Sequence, residues 1–159
     1  MKYSYLFIDL DDTVYSNDCG LWDLIKHRIN LYMHECLDLS WDVIPDLRAN
    51  LLMNYGTTMR GLSTLYEIDQ KEYLAYVHDI PLHDYLQPDP ELKDVLHSYP
   101  QRKAIFTSAD ASHAERVMSI LGIQDCFEEI IDIHAVSPHC KPQPKAYHIA
   151  LRRVGETNP

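Results

Sequence analysis

The sequence predicts an α/β fold in which a parallel sheet is interrupted by an all-helical insertion. Three short, almost uninterrupted apolar runs are typical of strands buried on both faces of a parallel sheet. Segments whose apolar residues recur at helical intervals alternate with the second and third of these strand-like runs, as in right-handed βαβ units. Between residues 18 and 86 we find no convincing strand. We therefore predict an α/β core domain at residues 1–17 and 87–159 and a helical domain at residues 18–86.

The first predicted strand covers residues 3–10, and the helical insertion follows it. A helix is predicted at residues 21–36, where an apolar stripe repeats at three- and four-residue steps. A second helix is expected to begin after Ser40, a candidate N-cap, and to end at Gly56. Asp69 opens a capping box that predicts a further helix. The side chains expected to face inward from the first two helices are Trp22, Ile25, Ile29, Tyr32, Met33 and Cys36, then Leu47, Leu51, Leu52 and Tyr55.

Helices and strands alternate in the rest of the chain. Asp89 is followed by proline, which fits the first turn of a helix and so predicts a helix start. Gly122 and Gly155 suit left-handed C-caps and predict two helix ends. A further strand would begin after Gly155, so we expect that a C-terminal part of the sheet is absent. The predicted elements are a helix at 89–98, a strand at 103–107, a helix at 111–121, a strand at 129–133 and a helix at 144–154.

The composition argues against several classes of function. Acidic residues outnumber basic ones by 24 to 14, and the formal net charge is −10. Because nucleic acids and anionic membranes attract basic surfaces, we expect neither a nucleic-acid polymer nor a membrane as a partner. No apolar stretch approaches the roughly 18 residues of a spanning helix, and the N-terminus is unlike a signal peptide. The four dispersed cysteines are expected to be free thiols, as in a cytoplasmic protein.

The clearest chemical signature follows the first predicted strand. Asp9 and Asp11 are two positions apart in an extended segment, so both side chains can face one pocket. Ligand sites of open parallel sheets lie at the carboxyl ends of the strands. Two close carboxylates repel each other unless a cation lies between them or one of them is protonated. The pair suits a magnesium site with a nucleophile and an acid–base partner; a solvated turn or a helix N-cap is the structural alternative.

Hydroxyl groups and a lysine follow the next two predicted strands. Thr107 and Ser108 end the second strand, where a hydroxyl and backbone N–H groups can bind phosphoryl oxygens or, alternatively, cap a helix. Lys141 follows the third strand and precedes Pro142, so its cation is held on a stiff turn. The informative feature is the order: an acid pair, a hydroxyl and a lysine each follow one of three successive strands.

These segments resemble the motifs of the haloacid dehalogenase superfamily of phosphohydrolases. The similarity lies in the order DLDDT, FTS and KP, and in a helical insertion like the four-helix cap of that superfamily. The chain differs at Ser108, where members usually carry asparagine, and it lacks the fourth, acidic motif. Further segments are similar to the pyrimidine 5′-nucleotidase branch: residues 20–22, 55–58 with 61–62, 77–79 with 81, 113–117 with 121–122, and 140–142.

The resemblance implies a Rossmann-like parallel sheet core with an all-helical cap, and a magnesium-dependent phosphomonoester hydrolase. The implied substrate is a pyrimidine nucleoside 5′-monophosphate. In the implied mechanism Asp9 attacks phosphorus and Asp11 acts as acid and then as base. Thr107 and Lys141 hold the phosphoryl oxygens. Mg²⁺ binds the Asp9 carboxylate and the Asp11 main-chain carbonyl, and the missing motif supplies its other ligands.

Substrate contacts are expected from Ser108 and from polar turns of the cap, at Tyr55, Thr57, Thr58 and His78. The aromatic side chains of the cap either stack on a base or fill the helical bundle. Two alternatives stay open: a phosphatase or phosphomutase for another small phosphorylated metabolite, and a non-catalytic fragment or regulatory protein. Without the fourth motif we expect a poor enzyme that self-associates through the bared edge of its first strand.

Overall fold

The structure, a computed structural model, describes residues 3–156 and divides into two compact units. One unit contains the described residues up to Gly20 and from Pro81 onward, and the other is Leu21–Ile80. All the strands lie in the first unit, and the second unit is helical. The helical unit is a few residues narrower at each end than the predicted insertion of residues 18–86. Its assignment as a separate domain stays a prediction.

Within residues 3–156 the first unit contains one sheet of three parallel strands. The strands are β1 at Tyr5–Ile8, β2 at Arg102–Phe106 and β3 at Glu129–Ile131, in the order β1-β2-β3. Tyr5 pairs with Arg102, and Ala104 pairs with Glu129. The predicted α/β class and parallel sheet are confirmed, although the first and third strands are shorter than their apolar runs. Because the strands are parallel, their carboxyl ends lie along one edge of the sheet.

The helical unit contains four α-helices among the described residues, the number expected from the resemblance. They are α1 at Leu21–Glu35, α2 at Ile44–Tyr55, α3 at Thr58–Leu65 and α4 at Gln70–Val77. Asp69 caps α4 as predicted, since its carboxylate accepts hydrogen bonds from the N–H groups of Lys71 and Glu72 at 2.7 and 2.9 Å. Gly56 ends α2 with a left-handed φ of +82°.

Several details of the predicted helices are wrong. Ser40 does not cap α2: its carbonyl accepts from the Val43 N–H in a preceding turn, and the helix begins only at Ile44. Leu52 is 58% exposed, because neighbouring helical positions lie about 100° apart and Leu51 already occupies the interior. Cys36 is also exposed, since it lies just beyond the end of α1.

Gly61 lies in α3 at a close approach to α2. A β-carbon at this position would clash with Leu51 Cδ2 and would lie 2.9 Å from Leu51 Cβ. We expect Gly61→Ala to destabilise the chain by about 1–3 kcal/mol, because overpacking outweighs the roughly 1 kcal/mol that alanine normally gains over glycine in a helix. Urea unfolding followed by circular dichroism measures this free energy.

The matched control for that change is Thr64→Ala in the same helix. Thr64 is exposed, so this variant is expected to stay within about 0.5 kcal/mol of the wild type. If Gly61→Ala proved as stable as the wild type, the close packing of α2 on α3 would be contradicted.

Among the described residues, three α-helices accompany the sheet in the first unit. They are α5 at Pro90–Ser98, α6 at Ala111–Leu121 and α7 at Pro144–Arg153. Asp89 caps α5 as predicted, because its carboxylate accepts from the Leu92 N–H at 2.8 Å. Asp110 caps α6 in the same way, by accepting from the His113 N–H at 2.9 Å. Gly122 ends α6 in the left-handed conformation that its position predicts.

The apolar core of the first unit includes side chains of β2, β3 and α7. Tyr5 and Phe7 of β1 pack against it and stay partly exposed. This cluster supports the strands whose carboxyl ends carry the predicted site residues. Its buried members are Ala104, Phe106, Ile131, Val136, Ala146, Ala150 and Val154.

The sequence predicts that the four cysteines are free thiols and that no helix spans a membrane. Cys19, Cys36, Cys126 and Cys140 are free thiols, and Cys140 is buried. Within the part of the chain that the structure describes, every helix is too short or too polar to cross a membrane.

Candidate active site

Asp9 and Lys141 form an ion pair at the carboxyl edge of the sheet. Asp9 directly follows β1, and its Oδ1 atom lies 2.6 Å from Lys141 Nζ. The same ammonium group donates a hydrogen bond to the main-chain carbonyl of Phe106, the last residue of β2, at 2.8 Å. Lys141 itself lies on the loop after β3. One lysine thus links the ends of all three strands.

The Asp9 carboxylate is accessible to solvent. Its side chain is 47% exposed, whereas that of Lys141 is 17% exposed. The Leu10 N–H also donates to Asp9 Oδ1, at 2.8 Å. Among the described residues, both donors therefore use the same carboxylate oxygen. The carboxylate is therefore paired with a cation and still open to a ligand.

Asp11 is held by two buried neighbours. The Tyr15 hydroxyl donates to Asp11 Oδ1 at 2.6 Å, and His113 Nε2 lies 3.0 Å from the same oxygen. His113 is fully buried and the Asp11 side chain is 13% exposed. Because an ionised carboxylate only accepts hydrogen bonds, we assign the donated proton to Nε2. Burial, together with the Asp11 charge, raises the pKa of Tyr15 well above its usual range, so this hydroxyl stays a donor.

Neither neighbour of Asp11 was assigned a role from the sequence. The chain turns sharply after β1: the N–H groups of Thr13 and Val14 both donate to the Leu10 carbonyl. Asp12 adopts a positive φ of 57°, which aspartate tolerates better than most residues. This turn brings Tyr15 back to Asp11, four positions earlier. The spacing is a local signal from which the contact could have been predicted.

Thr107 is buried directly after β2. Its N–H donates to the Ile131 carbonyl, and its hydroxyl oxygen accepts from the Ala109 N–H, both at 3.0 Å. The hydroxyl proton is not used in that second bond and can be donated to a ligand. Ser108 is exposed. Asp110 caps the following helix, so the alternative of a helix cap at Thr107 or Ser108 is wrong.

The other predicted substrate contacts lie in the helical unit. Tyr55 ends α2 and is partly exposed. The Thr57 hydroxyl caps α3 by accepting from the Arg60 N–H at 3.2 Å, and Thr58 begins this helix with a buried side chain. His78, at the end of α4, is also buried. Tyr55, Thr57 and Thr58 thus share one connection, and their role as ligands stays a prediction.

The donors near β1 fit magnesium in their chemistry. Mg²⁺ prefers oxygen ligands and keeps several waters, so it needs few protein groups. Asp9 offers an accessible carboxylate, and the backbone offers carbonyl oxygens. Across residues 3–156, a group of three His, Cys, Asp or Glu ligand atoms within 4.8 Å of one another occurs only at His97, Asp125 and Cys126. These three residues precede β2 and β3, so they lie at the amino ends of these strands and not at the carboxyl edge with Asp9. Among the described residues, Asp9 and Asp11 therefore do not form such a group with a third His, Cys, Asp or Glu.

Comparisons with known proteins bear on this site. The family model of haloacid dehalogenase-like hydrolases matches residues 3–159. The chain is also similar to phosphate metabolism protein 8 of Saccharomyces cerevisiae, with 29% identity over 163 residues. The similarity covers 94% of this chain and 51% of that protein. The chain therefore spans about half of the length of this curated relative.

Proposed function

Since the chain belongs to the haloacid dehalogenase-like hydrolase family, we propose that it hydrolyses phosphomonoesters through the carboxylate of Asp9. The observation that carries the proposal is the ion pair between Asp9 and Lys141, with 2.6 Å between the charged atoms. A phosphomonoester dianion approaching a chain of net charge −10 needs a local cation. Lys141 supplies one beside the attacking oxygen. The name of the yeast relative, a phosphate metabolism protein, agrees with this chemistry.

In the proposed reaction an Asp9 oxygen attacks phosphorus while the bond to the leaving oxygen breaks. An aspartyl-phosphate forms, and Asp11 donates a proton to the departing oxygen. Asp11 then removes a proton from the water that hydrolyses the aspartyl-phosphate. Lys141 and the Thr107 hydroxyl hold the phosphoryl oxygens, where charge shifts during transfer. Both groups follow strand ends next to Asp9.

Magnesium is the proposed cofactor. The Asp9 carboxylate and the main-chain carbonyl of Asp11 would hold it. When bound, it neutralises charge on the phosphoryl oxygens and orients the ester. Removal of the metal by a chelator is therefore expected to stop hydrolysis, and added Mg²⁺ to restore it.

We further propose a pyrimidine nucleoside 5′-monophosphate as substrate and the helical unit as a cap that selects it. The support is the resemblance of the cap turns to the pyrimidine 5′-nucleotidase branch. Among the proposed contacts, Ser108 is exposed, and Tyr55 and Thr57 are partly exposed. The burial of Thr58 and His78 favours a second candidate, a phosphatase for another small phosphorylated metabolite.

A panel of esters tests these proposals on the full-length protein. We expect kcat/KM for uridine and cytidine 5′-monophosphates to exceed that for purine nucleotides and sugar phosphates by about tenfold or more, which is about 1.4 kcal/mol of discrimination. Equal values across the panel would contradict the nucleotidase and favour the second candidate. If no ester were hydrolysed with Mg²⁺ present, the phosphatase proposal itself would fail.

A further inference from the structure

We propose that His97, Asp125 and Cys126 form a further metal site, for a borderline-soft divalent ion such as Zn²⁺, at the end of the sheet opposite Asp9. All three residues belong to the first unit and precede β2 or β3 along the chain. They take no part in the proposed hydrolysis of phosphomonoesters, so this inference does not depend on that function.

The three side chains come from two segments that the fold brings together. His97 lies in the last turn of α5, whereas Asp125 and Cys126 belong to a short 3₁₀ turn at Gln124–Cys126. Their ligand atoms all lie within 4.8 Å of one another. An imidazole, a carboxylate and a thiol are the three side-chain types that bind zinc in proteins. The juxtaposition therefore supplies a mixed ligand set, which a simple patch of acidic residues would not.

The separation of His97 and Asp125 suits a shared metal ion. His97 Nε2 lies 3.6 Å from Asp125 Oδ2, which is too long for a hydrogen bond. Two ligands of a tetrahedral zinc ion, with bonds of roughly 2.0 Å, lie about 3.3 Å apart. A shift of a few tenths of an ångström would thus place both atoms on one ion. Rotation of the Cys126 side chain would bring its sulfur the remaining distance of about 1 Å.

The Asp125 carboxylate and its turn are both held in place. The Lys93 ammonium lies 2.8 Å from Asp125 Oδ1, and Oδ2 is the oxygen nearer to His97. Ligating carboxylates in proteins commonly have such an outer partner, which orients them. The Cys126 N–H donates to the carbonyl of the fully buried Ile123 at 3.0 Å and so fixes the 3₁₀ turn.

The donor set selects the class of metal. A thiolate and an imidazole favour zinc and related ions, whereas Mg²⁺ takes oxygen ligands. Three protein ligands leave the fourth tetrahedral position to water. There is room for this water, because the three ligands line a cleft of about 270 Å³ together with Tyr99 and Phe127. Cys126 binds as the thiolate, so its S–H bond breaks and the proton passes to the solvent as the sulfur–metal bond forms.

Titration of the whole chain with Zn²⁺ tests the inference, with excess Mg²⁺ present to compete at oxygen-ligand sites. We expect one Zn²⁺ to bind per chain. Cys126→Ser and His97→Gln should each weaken its affinity by at least about tenfold, since the loss of even an outer partner typically costs 10–100-fold. The matched controls are Cys36→Ser and His148→Gln, at exposed residues of the same two types, and they should leave the affinity unchanged.

Co²⁺ in place of Zn²⁺ reports the ligands directly and needs no measurement of hydrolysis. We expect a thiolate-to-cobalt charge-transfer band and the strong visible bands of a tetrahedral Co²⁺ ion. Cys126→Ser should abolish the charge-transfer band, and Cys36→Ser should keep it. His97 is half-exposed, so His97→Gln should keep the fold and still weaken the visible bands if Cys126→Ser proves unstable.

The outcomes decide for or against the site. Absence of zinc binding, or binding that both His97→Gln and Cys126→Ser leave unchanged, would overturn the inference. A cobalt complex of the wild type without the charge-transfer band would overturn it as well. None of these results touches the proposed phosphatase. A protein that binds Zn²⁺ through these residues but hydrolyses no ester would overturn the proposed function and leave this inference standing.

Discussion

Replacing Asp9 by asparagine is expected to abolish hydrolysis of every phosphomonoester while the fold stays intact. The amide is nearly isosteric with the carboxylate, but it is not a competent nucleophile. Removal of the nucleophile in other covalent enzymes predicts a loss of roughly 10³-fold or more in kcat. The ion pair with Lys141 is lost too, but Asp9 is 47% exposed and such pairs contribute little to stability. The melting temperature should therefore change little.

Asp12→Asn is the matched control for this experiment. The same chemical change is made three positions along, at an exposed residue whose positive φ asparagine also tolerates. We expect this variant to keep its activity. Residual activity of Asp9→Asn above about a tenth of the wild type, in protein checked by mass spectrometry for deamidation, would refute the assignment of Asp9.

The second large effect is expected at Asp11. Asp11→Asn should reduce kcat/KM for a nucleoside 5′-monophosphate by about 10²–10⁴-fold, the usual worth of general acid catalysis, and should reduce that for p-nitrophenyl phosphate far less. The amide oxygen of asparagine can still accept from Tyr15 and His113, so the variant loses the transferable proton and keeps both hydrogen bonds.

Kinetics with the two esters, at saturating Mg²⁺, measure the effect of this change. The ratio of the two kcat/KM values is the informative quantity, because misfolding lowers both values together. If Asp11→Asn lost activity equally on both esters, Asp11 would have another role, most simply the placement of the metal.

The predictable part of the fold depends on local signals. The start of α5 follows from the preference of aspartate for the N-cap position, at Asp89, and the end of α6 follows from the left-handed conformation that glycine tolerates, at Gly122. Each signal depends on one or two residues of the sequence. In contrast, α3 was not predicted. It has only eight residues, and Arg60 stands three positions after its cap, Thr57, where a capping box would have glutamate or glutamine. The packing of α3 on α2 is a tertiary contact that spacing does not reveal.

The candidate site shows the same limit. Parallel strands end along one edge, so the positions of Asp9 and Lys141 after separate strands already indicated that they lie near each other. The contact between Asp11 and His113 joins residues 102 positions apart. No sequence motif predicts a contact over such a separation, because the contact depends on the direction in which α6 leaves the sheet. His113 therefore entered the sequence analysis only as part of a segment that resembles a known family, and no contact with Asp11 was predicted for it.

The pairing of β1 with β2 has a consequence for how this chain folds. β1 pairs with β2, and residues 21–80 lie between the two strands along the chain. The entropy of closing a loop grows only with the logarithm of its length. The helical unit lengthens this loop roughly two- to threefold and so costs the sheet only about 1 kcal/mol. Pairing of β1 is expected late in folding, since non-local contacts close slowly. A large insertion at this point is thus thermodynamically cheap and kinetically costly.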